Sequence, residues 1–165
     1  GLRAQPHKWE LAEDVGFVYY WWAKDYMKAA EWFNRAADMP ESPNWLRPLA
    51  AVTLAQGGNR ESSRRLWTEL RDHSDYDWLK DQARFRLQQL DAMDEVDILE
   101  QAAQAYRART GQWPRSWLDL VRAGMLRGIP VDPSRHVLQL NPDTGKVTLA
   151  PDSTLNPLPD PERPA

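Results

Sequence analysis

The sequence predicts a mainly α-helical chain: an α–α solenoid of about three helical pairs, a small helix plus β-hairpin cap, and a proline-rich tail. Three observations carry this. The 13 Pro are unevenly spread, with only Pro40, Pro43 and Pro48 between residues 7 and 113. Proline removes a backbone donor and fixes φ, so helices run freely only where it is sparse. The helical part is self-similar, since Trp45 to Gln56 matches Trp78 to Gln89 at an offset of 33. An offset of 34 relates Tyr20 to Leu54, Ala29 to Ser63, Phe33 to Trp67 and Ala36 to Leu70. Such a period marks stacked repeats, each too small to bury its apolar face alone.

The elements follow from turn signals. Ala23-Lys24-Asp25, Gly57-Gly58-Asn59 and Asp91-Ala92-Met93-Asp94 divide the units. Glycine accepts the φ that ends a helix, and Asn or Asp caps the next one. The expected helices span about 8–23, 25–38, 43–57, 59–72, 76–91 and 94–110. Small residues at Gly16, Ala29, Ala51 and Ser63 allow close helix approach, and Tyr19, Phe33, Leu54 and Trp67 fill the space between pairs. Helix six stops at Gly111, with Pro114 beyond it. Within 111–150, Ser116 can cap a short helix from Trp117 to Ala123, ended by Gly124. Ile129 to Pro133 is extended. Residues 136–150 alternate around Asn141-Pro142-Asp143-Thr144-Gly145, a hairpin signal. Residues 151–165 hold five Pro and few apolar side chains, so polyproline II or disorder is expected. The domain reading is therefore 1–110, 111–150 and 151–165.

Composition excludes several roles. The 165 residues carry 21 Lys+Arg and 24 Asp+Glu, a net charge of −3, which disfavours a strongly basic nucleic-acid binder. There is no Cys, hence no disulfide, thiolate metal site or cysteine nucleophile. No apolar run reaches the roughly 18 residues of a membrane helix.

Val15-Gly16-x-x-Tyr19, then Ala29-x-x-x-Phe33, then Pro40 resembles the tetratricopeptide repeat pattern. Val stands for the pattern's Leu, Ala12 occupies its Trp position, and the stretch from Gly16 to Tyr26 is one residue long for it. In the second unit Ala51, Ser63 and Trp67 take the places of the packing Gly, Ala and Phe, and the third unit keeps the periodicity only. The resemblance covers about residues 7–110 and implies a protein- or peptide-binding scaffold whose groove is lined by the first helix of each pair. That nominates Asp14, Trp21, Trp22, Val52, Gln56, Phe85, Gln88 and Gln89 for partner binding. Trp21 and Trp22 stand out, because adjacent helical positions point about 100° apart and cannot share one packing layer. Gly1 to Pro6 is similar to the end of a preceding repeat, so the chain is expected to start inside one.

Tyr106, Gly111, Pro114, Leu126, Ile129, Pro130, Asp132 and Pro133 lie in an order similar to the soluble part of type II secretion pseudopilins. The family's apolar membrane helix is missing, since 94–110 is polar, and Ser134-Arg135-His136 replaces its usual residues after Asp-Pro. This resemblance implies a cap on the last helical pair, or a contact surface in a cell-envelope assembly, and favours an envelope location over the cytoplasm.

Catalytic readings are weaker than structural ones. His7, His73 and His136 lack ligand spacing, and the acids around His73 fit a solvated loop. Asp91, Asp94, Glu95 and Asp97 fit a helix start. Asp132 and Asp143 fit turns and are too few for calcium, which takes six to eight oxygens. Arg60, Arg64, Arg65 and Arg71 put charge along one helix, but interspersed acids argue against nucleic acid. With no phosphate loop, nucleophile elbow or zinc motif, the expectation is a non-enzyme without metal or cofactor.

Overall fold

In the computed structural model, which describes residues 7–159, six α-helices and one two-stranded antiparallel sheet form the regular structure. By their contacts the residues gather into two compact units, one ending at Leu87 and one spanning Gln88–Leu158. The expectation for Gly1 to Pro6, and that for 160–165, lie outside the described residues.

The first unit holds α1 (Lys8–Val18), α2 (Tyr26–Ala37), α3 (Leu46–Gln56), α4 (Arg60–His73) and the start of α5 (Asp77–Thr110). Consecutive helices from α1 to α4 pack on one another. Two of the expected turns are present. Lys24 adopts φ 52° and Asp25 caps α2 by accepting from the Lys28 amide at 3.1 Å. Gly58 adopts φ 87° and Asn59 caps α4 through the Ser62 amide at 3.0 Å. Inside the pairs the small residues do what their size allows. A Cβ on Gly16 would lie 2.5 Å from the Phe33 ring, so only glycine admits that ring. Ser63 Oγ donates to the Ala51 carbonyl at 2.6 Å, spending its only buried proton on the neighbouring helix. Phe33, Ala29 and Ala50 form one core cluster, and Ala12, Ala36 and Leu46 another.

The expected break at Asp91–Asp94 is absent: 76–91 and 94–110 are one helix, α5. The stretch contains no Gly or Pro, and Leu90, Ala92, Met93 and Leu99 are buried while Asp91 and Asp94 face out. An acid on the outer face of a helix needs no interruption, so apolar spacing decides. The division between units falls within this helix and not at residue 110.

The second unit adds α6 (Trp117–Arg122) and the sheet of β1 (Gln139–Leu140) and β2 (Val147–Thr148). The strands are shorter than the expected 136–150 hairpin but turn at the expected place, with Gln139 opposite Thr148 and Leu140 opposite Val147. Gly145 is required twice over: its φ is 70°, and a Cβ there would sit 2.4 Å from the Trp113 ring. Ser116 makes no side-chain cap; Asp119 Oδ2 accepts from the Arg115 amide at 2.9 Å instead. The Trp117 indole donates to the Leu138 carbonyl at 2.7 Å and ties α6 to the hairpin.

The tail is a second correction. Within 151–159 Ser153 and Leu155 are buried, while Pro151, Asp152, Thr154, Asn156 and Pro157 stay exposed. Asn156 Nδ2 donates to the Ala150 carbonyl at 2.8 Å, and Gln89 Nε2 donates to the carbonyls of Leu155 and Pro157 at 2.8 and 3.0 Å. Proline-rich composition removes backbone donors, but a side-chain amide can satisfy the remaining carbonyls and fix the segment.

Candidate functional site

The chain leaves α1 through a π-helical turn, Tyr19–Ala23, whose sequence is Tyr-Tyr-Trp-Trp-Ala. Such a turn adds one residue to a helix, and π turns recur at functional sites. The insertion is measurable. Gly16 meets Ala29 across the first pair and Ala51 meets Ser63 across the second. The first connection is therefore one residue longer than the second, which is the extra residue visible in the sequence between Gly16 and Tyr26.

The aromatic side chains of this turn divide by role. Tyr19 and Tyr20 pack on the Ala29–Phe33–Ala50 cluster, as does Phe17. The Tyr20 ring lies 5.1 Å from Tyr26 and 4.8 Å from Trp21, both edge-on, and its hydroxyl donates to Gln56 Oε1 at 2.9 Å. Trp21 and Trp22 are left outside the core, 59% and 84% exposed. Lys24 Nζ lies 5.5 Å from the Trp21 ring and Lys28 Nζ 5.5 Å from the Tyr19 ring, within cation–π range. Two adjacent, largely solvated indoles are a costly surface unless something covers them.

Acids lie on the same helix. Glu13 is half-buried, and its carboxyl is pushed above the ordinary glutamate value by burial, then by Asp14 and Glu10. The site thus combines an indole pair with two lysines, while the three acids lie earlier on α1. It is an exposed aromatic surface with positive charge beside it.

The nominated residues are placed as follows. Asp14, Trp21 and Trp22 are exposed on α1 and its π turn, and Val52 and Gln56 are half-buried on α3. Tyr20 joins Trp21 to Gln56, so these two belong to one surface. Phe85 is half-buried on α5, with the Arg86 guanidinium 5.7 Å from its ring, and Gln88 is exposed. Gln89 is buried, with its amide bound to Leu155 and Pro157; it holds the C-terminal segment and is not presented to a partner. Residue spacing put Gln88 and Gln89 together, but neighbouring helix positions face different ways. Tyr20 is the residue the sequence reading missed as a positioner; its signal was membership of a four-aromatic run.

The second unit holds a polar knot. Asp132 is buried and accepts from Ser134 N at 2.7 Å, Ser134 Oγ at 2.6 Å, Ser153 Oγ at 2.6 Å and His136 N at 3.2 Å. Burial raises its carboxyl, but these hydrogen bonds outweigh that and hold it below the ordinary aspartate value. Ser134 Oγ also lies 2.8 Å from His136 Nδ1, and His136 Nε2 lies 4.0 Å from Asp152. The serine proton has a buried carboxylate as its nearest acceptor, so the group fastens loop to tail. Among the described residues no cluster of His, Asp and Glu is arranged to hold a metal ion. No helix among them is long and apolar enough to cross a membrane.

No protein-family model, curated protein or solved structure matches the chain.

Proposed function

We propose that this chain is a non-catalytic interaction scaffold of tetratricopeptide type, built of stacked helix pairs, that binds a protein or peptide partner through the surface around Trp21, Trp22 and Gln56. The single observation that carries the reading is the π turn. It sets two indoles outside the core, at the end of a helix that carries several acids, while Tyr20 links Trp21 to Gln56 on α3. The close approaches at Gly16 and at Ala51–Ser63 support the repeat architecture, since they place equivalent small residues at equivalent contacts.

The test is quantitative capture from the native host on the immobilised chain, with Trp21→Ala and Trp22→Ala as competitors for the same partners. Partners retained by the wild type and lost from both variants, at unchanged circular dichroism, are the expected result. Identical capture by all three proteins refutes this surface, and a turnover by the purified chain refutes the non-catalytic reading.

A second reading, a contact module of a cell-envelope assembly, draws on the C-terminal unit, where Ile129, Val131 and Val137 are about half exposed around a single antiparallel bridge between Val131 and Val137. Ile129→Glu with Val137→Glu, assayed for assembly incorporation, decides it: normal incorporation removes this reading.

A further inference from the structure

We propose that residues 129–131 form an open sheet edge that takes one further strand from a partner protein: an extended segment with apolar residues at alternate positions and acidic residues at its ends. The inference rests on the contact-module reading above and names the partner of that surface. The geometry starts from two backbone hydrogen bonds. Leu138 N donates to the Pro130 carbonyl at 3.2 Å, and Asp132 N donates to the His136 carbonyl at 2.8 Å. These bonds flank the antiparallel bridge between Val131 and Val137. A pair flanked in this way is of the non-hydrogen-bonded kind, whose two residues do not bond to each other. The Val131 N–H and C=O therefore point away from Val137, to the outer side of the sheet. Among the described residues no backbone group bonds to either. Pro130 does not close this edge, because it turns its carbonyl, and so its missing N–H, to the inner side. An unpaired row of backbone groups is a template for another strand.

The side chains say what that strand carries. Directly opposed residues of an antiparallel pair share one face, and Ile129, two residues before Val131, shares it too. Ile129, Val131 and Val137 are each about half exposed. A strand laid along the edge covers them with every second residue, which calls for alternate apolar side chains.

Charge says what lies at its ends. Arg127 precedes the edge and Arg135, at φ 69°, follows it in the turn; both are exposed. The acid between them, Asp132, is buried and held by Ser134, Ser153 and the His136 amide, so it does not neutralise this rim. The same charges oppose a second copy as occupant. Two such edges paired antiparallel about Pro130 would set Arg127 of one chain opposite Pro133 of the other, two residues from its Arg135. Acidic ends on a foreign strand meet these arginines instead, and opposite charges across a strand pair are favourable.

The probe is the peptide acetyl-Glu-Glu-Val-Thr-Val-Glu-Glu-amide, titrated into the full chain with amide exchange read at Val131. Saturable binding that protects the Val131 amide is the expected result. Methylating both valine nitrogens of the peptide, which face the edge, should weaken binding at least about tenfold. Methylating the threonine nitrogen, which faces away, should weaken it far less. Val131→Pro removes the outward donor and keeps an apolar side chain, a change that edge strands tolerate. At unchanged circular dichroism it should also weaken binding at least about tenfold. Arg127→Gln should weaken binding and flatten its salt dependence. Absence of saturable binding overturns the proposal, and so does equal binding of the two methylated peptides, because backbone pairing is then not involved. A dimer in light scattering that Val131→Pro dissociates overturns it as well, since the occupant is then a second copy. The module reading fails separately, through normal incorporation of the Ile129→Glu, Val137→Glu variant. The titration uses the purified chain alone, so strand pairing can fail while that reading stands.

Discussion

The helical unit and the C-terminal unit are held by different physics. Around α1 to α4 the contacts are small-against-large: glycine beneath phenylalanine at Gly16 and Phe33, alanines against Leu46 and Ala50. Between residues 88 and 158 the decisive contacts are polar and long in sequence: Gln89 to Leu155 and Pro157, Ser153 to Asp132, Trp117 to Leu138. Apolar contacts have no direction but are set by the volumes that meet, so the Phe33 ring needs glycine opposite it. A buried carboxylate is directional as well, because each donor must arrive within hydrogen-bond distance. The first unit is therefore fixed by matched volumes, and the second is a set of mutually fixed loops.

Phe33→Ala should have the largest effect. It empties the space under Gly16 and should cost about 4 kcal/mol, read by urea unfolding, the scale of a buried aromatic removed from a core. If the loss were below about 1 kcal/mol, apolar packing would not be what holds this unit.

Asp132→Ala should follow, at about 3 kcal/mol, because it leaves the hydroxyls of Ser134 and Ser153 and two backbone amides without their acceptor. The loss should appear in the indole signal of Trp117, which reports the C-terminal unit. Acid should separate the units further. Asp132 sits below its ordinary value, so its contribution is complete above about pH 3.9 and is lost as pH falls through the folded value. Glu95 has the opposite sign: burial, then the nearby Asp132 charge, raises it, so its ionised form costs stability at neutral pH and that cost ends as pH falls through its raised value. Stability of the C-terminal unit should thus pass through a maximum in mild acid. Asp132→Asn should remove the falling acid limb, and an unchanged profile in that variant would show that the knot is not ionic.

Deleting Ala23 should have a smaller effect on stability and a larger one on binding. It removes the extra residue of the π turn and makes the first pair match the second. A loss of about 1–2 kcal/mol is expected, since Tyr20 gives up its packing on the Phe33 cluster and its bond to Gln56. Captured partners should be lost, because Tyr20 and Trp21 rotate away from Gln56. Trp22→Ala should change stability least, by less than about 0.5 kcal/mol, as expected for an exposed side chain. A large loss there would mean that the indole is structural.

Much of the helical unit was legible in the residues. The small positions Gly16, Ala29, Ala51 and Ser63 lie at the close contacts, and Lys24-Asp25 and Gly58-Asn59 are the turns. The one-residue excess before Tyr26 was visible as well, though only the backbone shows that a π turn absorbs it. The candidate site was readable in part, because an adjacent indole pair is a local anomaly. The placing of Gln89 was not, because its two acceptors lie more than sixty residues away. The same holds for α5: acids at 91 and 94 suit a helix start or an outer face equally well, and the burial of Ala92 and Met93 decides between them.

By itself, then, the sequence determined what is local and periodic: helix spacing, capping residues, the hairpin turn at Asn141 to Gly145, and the surplus of indoles. Tertiary structure decided what depends on partners distant in the chain. It made 77–110 one helix, anchored a tail that composition marks as extended, and turned Gln89 inward. It also left Leu11 and Val18 of α1 exposed, while Leu46 and Ala50 of α3 are buried. Periodicity records which side of a helix is apolar, and only the assembled neighbours determine whether that side is covered.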